Sequence, residues 1–302
     1  WPRKRAEKYL PSVNWDVIPS DGSKHLKGFI CYKAGMISAE VKDNTSESMT
    51  KDKKIIVPAT VLECPAIKIL SIRFYKNSKV AKEIVSEHLD KELKRAIKIP
   101  KVKHNINSVK PEDYDDVRVI VYSVVKKTEI KKTPDISEIA MNGSKEENLN
   151  WAKANLGKEI SVFDIFEKGK LVDCRGLTKG KGYQGPVKRF GIKLRFHKTE
   201  KGQRKVGSIG PWHPTGVTFR VPMAGNMGMF TRIGYNKKII DILKSEDKPL
   251  TNLKNYGNLH TDYIIVYGSV QGPSKRQILI TAPLRKTKKQ VKKNYELSRV
   301  FK

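Results

Sequence analysis

The chain is 302 residues long and sets 61 Lys and Arg against 31 Asp and Glu, a formal charge of +30, which calls for a polyanionic partner and excludes an ordinary solvated surface as its explanation. At that length it can bury a sizeable core and exceeds the roughly 100–200 residues of one domain, so two folded units plus extensions are predicted. Cys31, Cys64 and Cys174 show no C-x-x-C spacing, which excludes a disulfide framework and a cysteine zinc site and predicts a reducing, cytoplasmic setting; the apolar runs stop well short of the roughly 20 residues that cross a bilayer.

Residues 1–27 open on Trp1-Pro2-Arg3-Lys4-Arg5, contain Pro11 and Pro19, keep no period, and read as a basic arm. Short β-rich runs follow, Phe29 to Tyr32, Ile55 to Glu63 and Ile67 to Phe74, around a polar loop at Asp43 to Asp52. Asn77 or Ser78 is placed to cap a helix running to about Ile97, with Val80, Ile84, Val85, Leu89, Leu93 and Ile97 on one face. Val117 to Val125 reads as a strand, and Pro134 starts a second short element. Ser144-x-x-Glu147 is a capping box ahead of a helix that Gly157 ends. Ile160 to Phe166, Leu171 to Leu177, Lys238 to Leu243, Tyr263 to Tyr267 and Gln277 to Ile280 read as strands. This order predicts a mainly β fold with an α+β insertion. An interrupted β-barrel in three parts, 28–78, 160–178 and 235–285, is broken by the insertion at 79–159 and by a basic Gly-rich extension at 179–234. A basic tail at 286–302 follows.

The charge is uneven along these segments. Residues 76–165 hold eighteen bases and fifteen acids, a solvated surface, so removing residues 79–156 is expected to spare much of any RNA affinity. Residues 273–302 hold ten bases and one acid, while residues 175–234 hold thirteen bases, twelve glycines and a single acid, Glu200. That last segment has no aliphatic clustering to offset the roughly 1–2 kcal/mol per residue of ordering entropy. Glycine lets a backbone lie flat against a surface, and Lys and Arg neutralise phosphates. The pattern is that of an extension threaded through folded RNA.

Catalytic motifs fail on context. Gly180-Lys181-Gly182-Tyr183-Gln184-Gly185 fits G-x-G-x-x-G, yet Pro186 follows it, no apolar helix succeeds it, and the position twenty residues on is Lys205 rather than an acid. Val206-Gly207-Ser208-Ile209-Gly210 is one glycine short of a nucleophile elbow. His197 and His213 have no metal-ligand spacing and are read as hydrogen-bonding to phosphate or ribose. Trp212, set among Gly210, Pro211, His213 and Pro214, has no apolar neighbours to bury it and suits stacking on a base.

At these residues the chain resembles the family of the third protein of the large ribosomal subunit, in its archaeal and eukaryotic form. The resemblance is carried by Trp1 to Ala6, by Gly28 to Met36, by Pro111 to Arg118, and most specifically by Thr178 to Gly185 and Gly207 to Pro214. It implies a translation-protein-type β-barrel on the subunit surface, an α+β insertion, an extension reaching towards the peptidyl transferase centre with Trp212 near its tip, and Lys179, Lys181, Lys188, Arg189, Arg204 and Lys205 facing rRNA. Arg3, Lys4, Arg5, Lys193, Arg195, Arg220 and Arg232 join them as expected rRNA contacts, with His197 and His213. Glu200 stands where eukaryotic members carry a His that can be methylated. The expected function is a structural, rRNA-binding constituent of the cytoplasmic large subunit that supports its assembly. Its expected partners are large-subunit rRNA and neighbouring ribosomal proteins, with no cofactor, no metal, no membrane, no DNA and no second copy of itself. The rival classes are an RNA-modifying enzyme and a free RNA chaperone or translation factor.

Overall fold

A computed structural model describes residues 4–20, 24–87, 89–100 and 113–301. The strands form where β-branched and aromatic residues alternate with polar ones, the pattern of a half-buried pleat. In the second half of β1 (Gly28–Asp43), Ile37, Ala39 and Val41 are buried while Met36 and Ser38 face solvent. β1 pairs antiparallel with β2 (Lys54–Glu63), which continues to β11 (Tyr263–Tyr267). The ladder then runs through β10 (Thr231–Leu243), β7 (Leu171–Leu177) and β12 (Gln277–Thr281). β12 returns to the first half of β1, Gly28 facing Thr281 and Tyr32 facing Gln277. Six strands from both ends of the chain thus hydrogen-bond in a circuit.

A second, four-stranded sheet runs in the order β4 (Lys79–Val85), β3 (Ile67–Lys76), β5 (Asp116–Ser123), β6 (Ile136–Ala140). β3, grouped by chain order with the first strands, therefore belongs to the second sheet, and the sheets part at Cys64 to Ala66 rather than after residue 78. The helix expected from residue 77 is instead a hairpin. Asn77 and Ser78 both take positive φ, 51° and 59°, the two left-handed positions of a tight turn that returns the chain beside β3. What followed the helical period was a real apolar set used differently: Leu89, Leu93 and Ile97 cover Leu70, Ile120 and Tyr122 on the outer face of the sheet. α1 (Lys145–Ala154) starts at the expected capping box of Ser144 and Glu147 and ends at Asn155, short of Gly157. Ile160 bridges Ile67, but Ser161 and Asp164 then cap a 3-10 turn at Val162–Asp164 where a strand was expected.

The two sheets share one core. Phe29, Ile30, Tyr32 and Leu62 of the circuit and Phe74, Val119, Val121 and Ile139 of the second sheet belong to a single buried cluster. The Tyr32 hydroxyl crosses to the Ser123 hydroxyl at 2.8 Å and donates to Asp135 at 2.5 Å. Val117, Val119, Val121, Ile139, Leu149 and Ala152, all within 79–156, belong to that cluster, so removing the stretch would strip part of the core on which the circuit packs. The arm is not free either. Trp15 and Ile18 are buried in the same cluster, and Gly28 leaves room for the indole, since a Cβ there would lie 2.9 Å from Trp15 Cη2. At the other end, the expected basic tail contains α3 (Lys288–Lys292) and β13 (Tyr295–Phe301), which pairs with the second half of β1. Tyr295 and Leu297 supply the apolar contacts that a solvated tail would lack.

Candidate nucleic-acid interface

Between Leu177 and Thr231, paired partners on β7 and β10, the chain leaves the circuit and returns. The exit is narrow and well built. Thr178 N–H donates to Phe230 O at 3.0 Å and Lys181 N–H to Met227 O at 2.9 Å, leading into a short ladder of β8 (Gly182–Gln184) and β9 (Gly225–Met227). Gly228, at φ +84°, lies so close that a Cβ would sit 2.0 Å from Lys179 O, so any side chain there forces the two strands apart. α2 (Pro186–Phe190) begins on a proline and stops at Gly191 in the left-handed region. Beyond it, residues 192–224 form turns and irregular backbone. The segment is thus ordered at its base by hydrogen bonds and carries no core at its end.

Of the sequence-predicted contacts, Arg3 lies outside the described residues. Lys4 and Arg5 are exposed, and the arm is anchored beside the exit by Ala6 N–H donating to Met229 O at 2.8 Å. Lys179, Lys181, Lys188, Lys193, His197, Arg204, Lys205, Trp212, His213, Arg220 and Arg232 are all exposed. Arg189 and Arg195 are placed otherwise. Arg189 donates from Nε to Asn226 O at 3.1 Å and from Nη1 to Met223 O at 3.0 Å, clasping the returning strand. Arg195 donates from Nη2 to Val206 O at 2.8 Å, and its N–H donates to Gln203 O. Both hold the loop's shape, a role that charge pattern alone does not reveal. Arg175, the first base of the segment, is buried in β7 and donates from Nε to Thr281 Oγ1.

Sequence reasoning missed the other aromatics. Tyr183, Phe196 and Phe219 are exposed along with Trp212, which is 86% exposed. Phe196 packs against His197 with ring centroids 4.2 Å apart, and Arg220 lies over the Phe219 ring. Their signal was present, since aromatic residues without aliphatic neighbours in a Gly- and Lys-rich segment have no core to join. Interleaved planar rings and cations are the surface that holds single-stranded and loop nucleotides.

Charge pairing distinguishes this surface from the arginines of the second sheet. In the second sheet, Arg73 bridges Glu83 and Glu138, Arg118 bridges Asp16, Asp116 and Glu138, and Lys126 and Lys127 pair with Glu92 and Glu159. Among the described residues, Arg189 aside, the bases of residues 175–234 form no ion pair. A cleft of about 410 Å³ between Lys68, Tyr122 and Lys132 lies on the second sheet. Lys68 there is held by Asp90, and burial together with Asp90 pushes the Tyr122 hydroxyl pKa up. No group of three or more His, Cys, Asp or Glu among the described residues is gathered to hold a metal, and none of the helices is long and apolar enough to cross a membrane.

The model of the family described as ribosomal protein L3 matches residues 1–301. The large ribosomal subunit protein uL3 of Methanocaldococcus jannaschii is 40% identical over 301 residues, covering 94% of this chain and 89% of that protein. The protein of the same name from Methanococcus vannielii is 40% identical over 300 residues, with the same coverage. That of Archaeoglobus fulgidus is 37% identical over 301 residues, covering 95% and 90%.

Proposed function

The chain belongs to the ribosomal protein L3 family, and from that premise we propose that it grips large-subunit rRNA through the projection at residues 179–234, with the surface around Trp212 as its reach towards the peptidyl transferase centre. Family membership makes it a structural constituent of the large subunit in the cytoplasmic ribosome and not an enzyme. Neighbouring large-subunit proteins complete the proposed set of partners, with one copy of this chain in each subunit. The observation that carries the reading is a contrast in charge: residues 76–165 set eighteen bases against fifteen acids, and Arg73 and Arg118 pair there with carboxylates, whereas the bases of the projection, Arg189 aside, form no ion pair among the described residues and stand among open aromatic rings. Such a surface suits phosphate and unstacked bases. The circuit of strands and the second sheet then act as the rigid seat from which the projection extends.

Two measurements test this. Binding of the free protein to a large-subunit rRNA fragment is expected to weaken steeply with salt, by roughly 0.9 in the log–log slope for each phosphate neutralised on duplex. Sedimentation of ribosomal particles after a salt wash is expected to leave the protein on the large subunit, as for a constituent rather than a factor. A nearly flat slope, or release of the chain by the wash, would contradict the reading.

Trp212→Ala is expected to lower rRNA affinity by roughly 1–3 kcal/mol, the worth of a lost base stack. Its thermal unfolding should match that of the parent, because the indole buries almost nothing in the free protein. A large fall in melting temperature with normal binding would return Trp212 to the core and withdraw the assignment of the tip.

A further inference from the structure

Three segments far apart in sequence meet beside the base of the projection. Ala6 of the arm donates its N–H to Met229 O, and Arg276 Nη2 reaches Met229 Sδ at 3.6 Å. Arg276 also lies over the ring of Tyr9, 5.4 Å from its centroid. Tyr9, Ser274, Lys275 and Arg276 line a cleft of about 310 Å³. Tyr9 keeps 55% of its surface exposed, so a cation-backed aromatic ring remains accessible from the cleft.

The loop that forms the other wall is held rigid from below. Lys33, buried, donates from Nζ to Val270 O at 2.5 Å and Gly272 O at 3.0 Å, and Lys275 N–H donates to Lys33 O at 2.8 Å. Lys275 itself takes φ +68°, a left-handed position that a side-chain-bearing residue adopts only at a cost in backbone strain. A glycine would sit there without cost, yet a lysine does, and its ammonium points no ion pair at any described carboxylate. Asp135, which reaches the cleft through Lys131, is already engaged by Lys131 and Tyr32. Lys33, Lys179, Lys275 and Arg276 therefore bring positive charge to one place with no described counter-ion; burial and the nearby Lys179 both lower the pKa of Lys33.

We propose that this cleft is a second RNA subsite, separate from the projection, that takes one unpaired nucleotide with its base stacked on Tyr9 and its phosphate against Lys275 and Arg276. It rests on the rRNA-binding reading and adds to it a contact on the folded part of the chain. The chemistry fits a single strand rather than a duplex, since only an unstacked base can lie flat on the open ring. A phosphate there supplies the missing counter-charge, and the pre-held loop loses little freedom on binding.

The test uses the full chain, a uridine hexanucleotide and short-wavelength ultraviolet cross-linking mapped by mass spectrometry. Adducts are expected at Tyr9 as well as in the projection, and a duplex of the same length should give none at Tyr9. Lys275→Gly should cut the Tyr9 adduct about fivefold, the loss of one phosphate contact, and leave the projection adducts unchanged. Its melting temperature should hold or rise, because glycine relieves the left-handed backbone; lost binding then cannot be ascribed to unfolding. Projection adducts without a Tyr9 adduct, or a Tyr9 adduct of equal yield in Lys275→Gly, would overturn the subsite while the rRNA-binding reading stands. No adduct anywhere, together with no binding to the rRNA fragment, would overturn both.

Discussion

A chain in which residues 179–229 are replaced by an Asn-Gly turn should fold normally and lose its grip on rRNA. The closure is geometrically sound, because Thr178 donates its N–H to Phe230 O and Leu177 faces Thr231 across the ladder, neighbours that a two-residue turn joins. Nothing between them supports the buried clusters, so thermal unfolding of the remainder should be nearly unchanged. Affinity for a large-subunit rRNA fragment should fall by at least about a hundredfold at moderate salt, and the salt slope should flatten by roughly 0.9 for every phosphate contact removed. The measurement is a salt titration of both chains against the same fragment. Equal slopes would mean that the exposed cations of the projection do not meet phosphate.

Phe74→Ala should unfold the molecule as a whole rather than the second sheet alone. Phe74 is fully buried on β3 and touches Tyr114, ring centroids 4.9 Å apart, within the cluster that also holds Phe29, Ile30 and Leu62 of the circuit. Truncating such a ring removes its transfer energy and leaves a cavity, about 3–5 kcal/mol together, a large share of the roughly 5–15 kcal/mol by which native domains are stable. Because the core is continuous, amides of β7 and β10 should lose hydrogen-exchange protection in parallel with those of β5, in a single transition. If β5 opens while β7 and β10 stay protected, the two sheets are independent units and the shared core does not couple them.

Much of the fold was legible in order because strand chemistry is local. The run Tyr263 to Tyr267 is itself β11, and Leu171 to Leu177 is β7. Ser144 and Glu147 cap α1 by a contact three residues long that needs no tertiary partner. What misled was periodicity where two structures fit the same letters. Val80, Ile84 and Val85 satisfy a helical face, yet β3 needed an edge partner and the left-handed Asn77-Ser78 turn supplied one. The interface divides in the same way. Exposed cations such as Lys179, Lys205 and Arg220 follow from composition, whereas Arg189 and Arg195 look identical in sequence and are held by carbonyls that only the folded loop brings within reach.

By itself the sequence showed where the charge is concentrated, thirteen bases with one acid and no apolar clustering over residues 175–234, the composition expected of a segment whose ordering entropy a polyanion offsets. It also determined the positions of most strands and the family through Thr178 to Gly185 and Gly207 to Pro214. Only the tertiary structure decided that the arm enters the core through Trp15, that β13 completes an edge, and that β1 is paired at one end with β12 and at the other with β13. It alone brought Tyr9 to Arg276 and Lys33 beneath Val270. Apart from Trp15, these are pairings between residues more than two hundred positions apart. No local propensity encodes them, because their energy comes from apolar surface and backbone groups that meet only when the whole core closes.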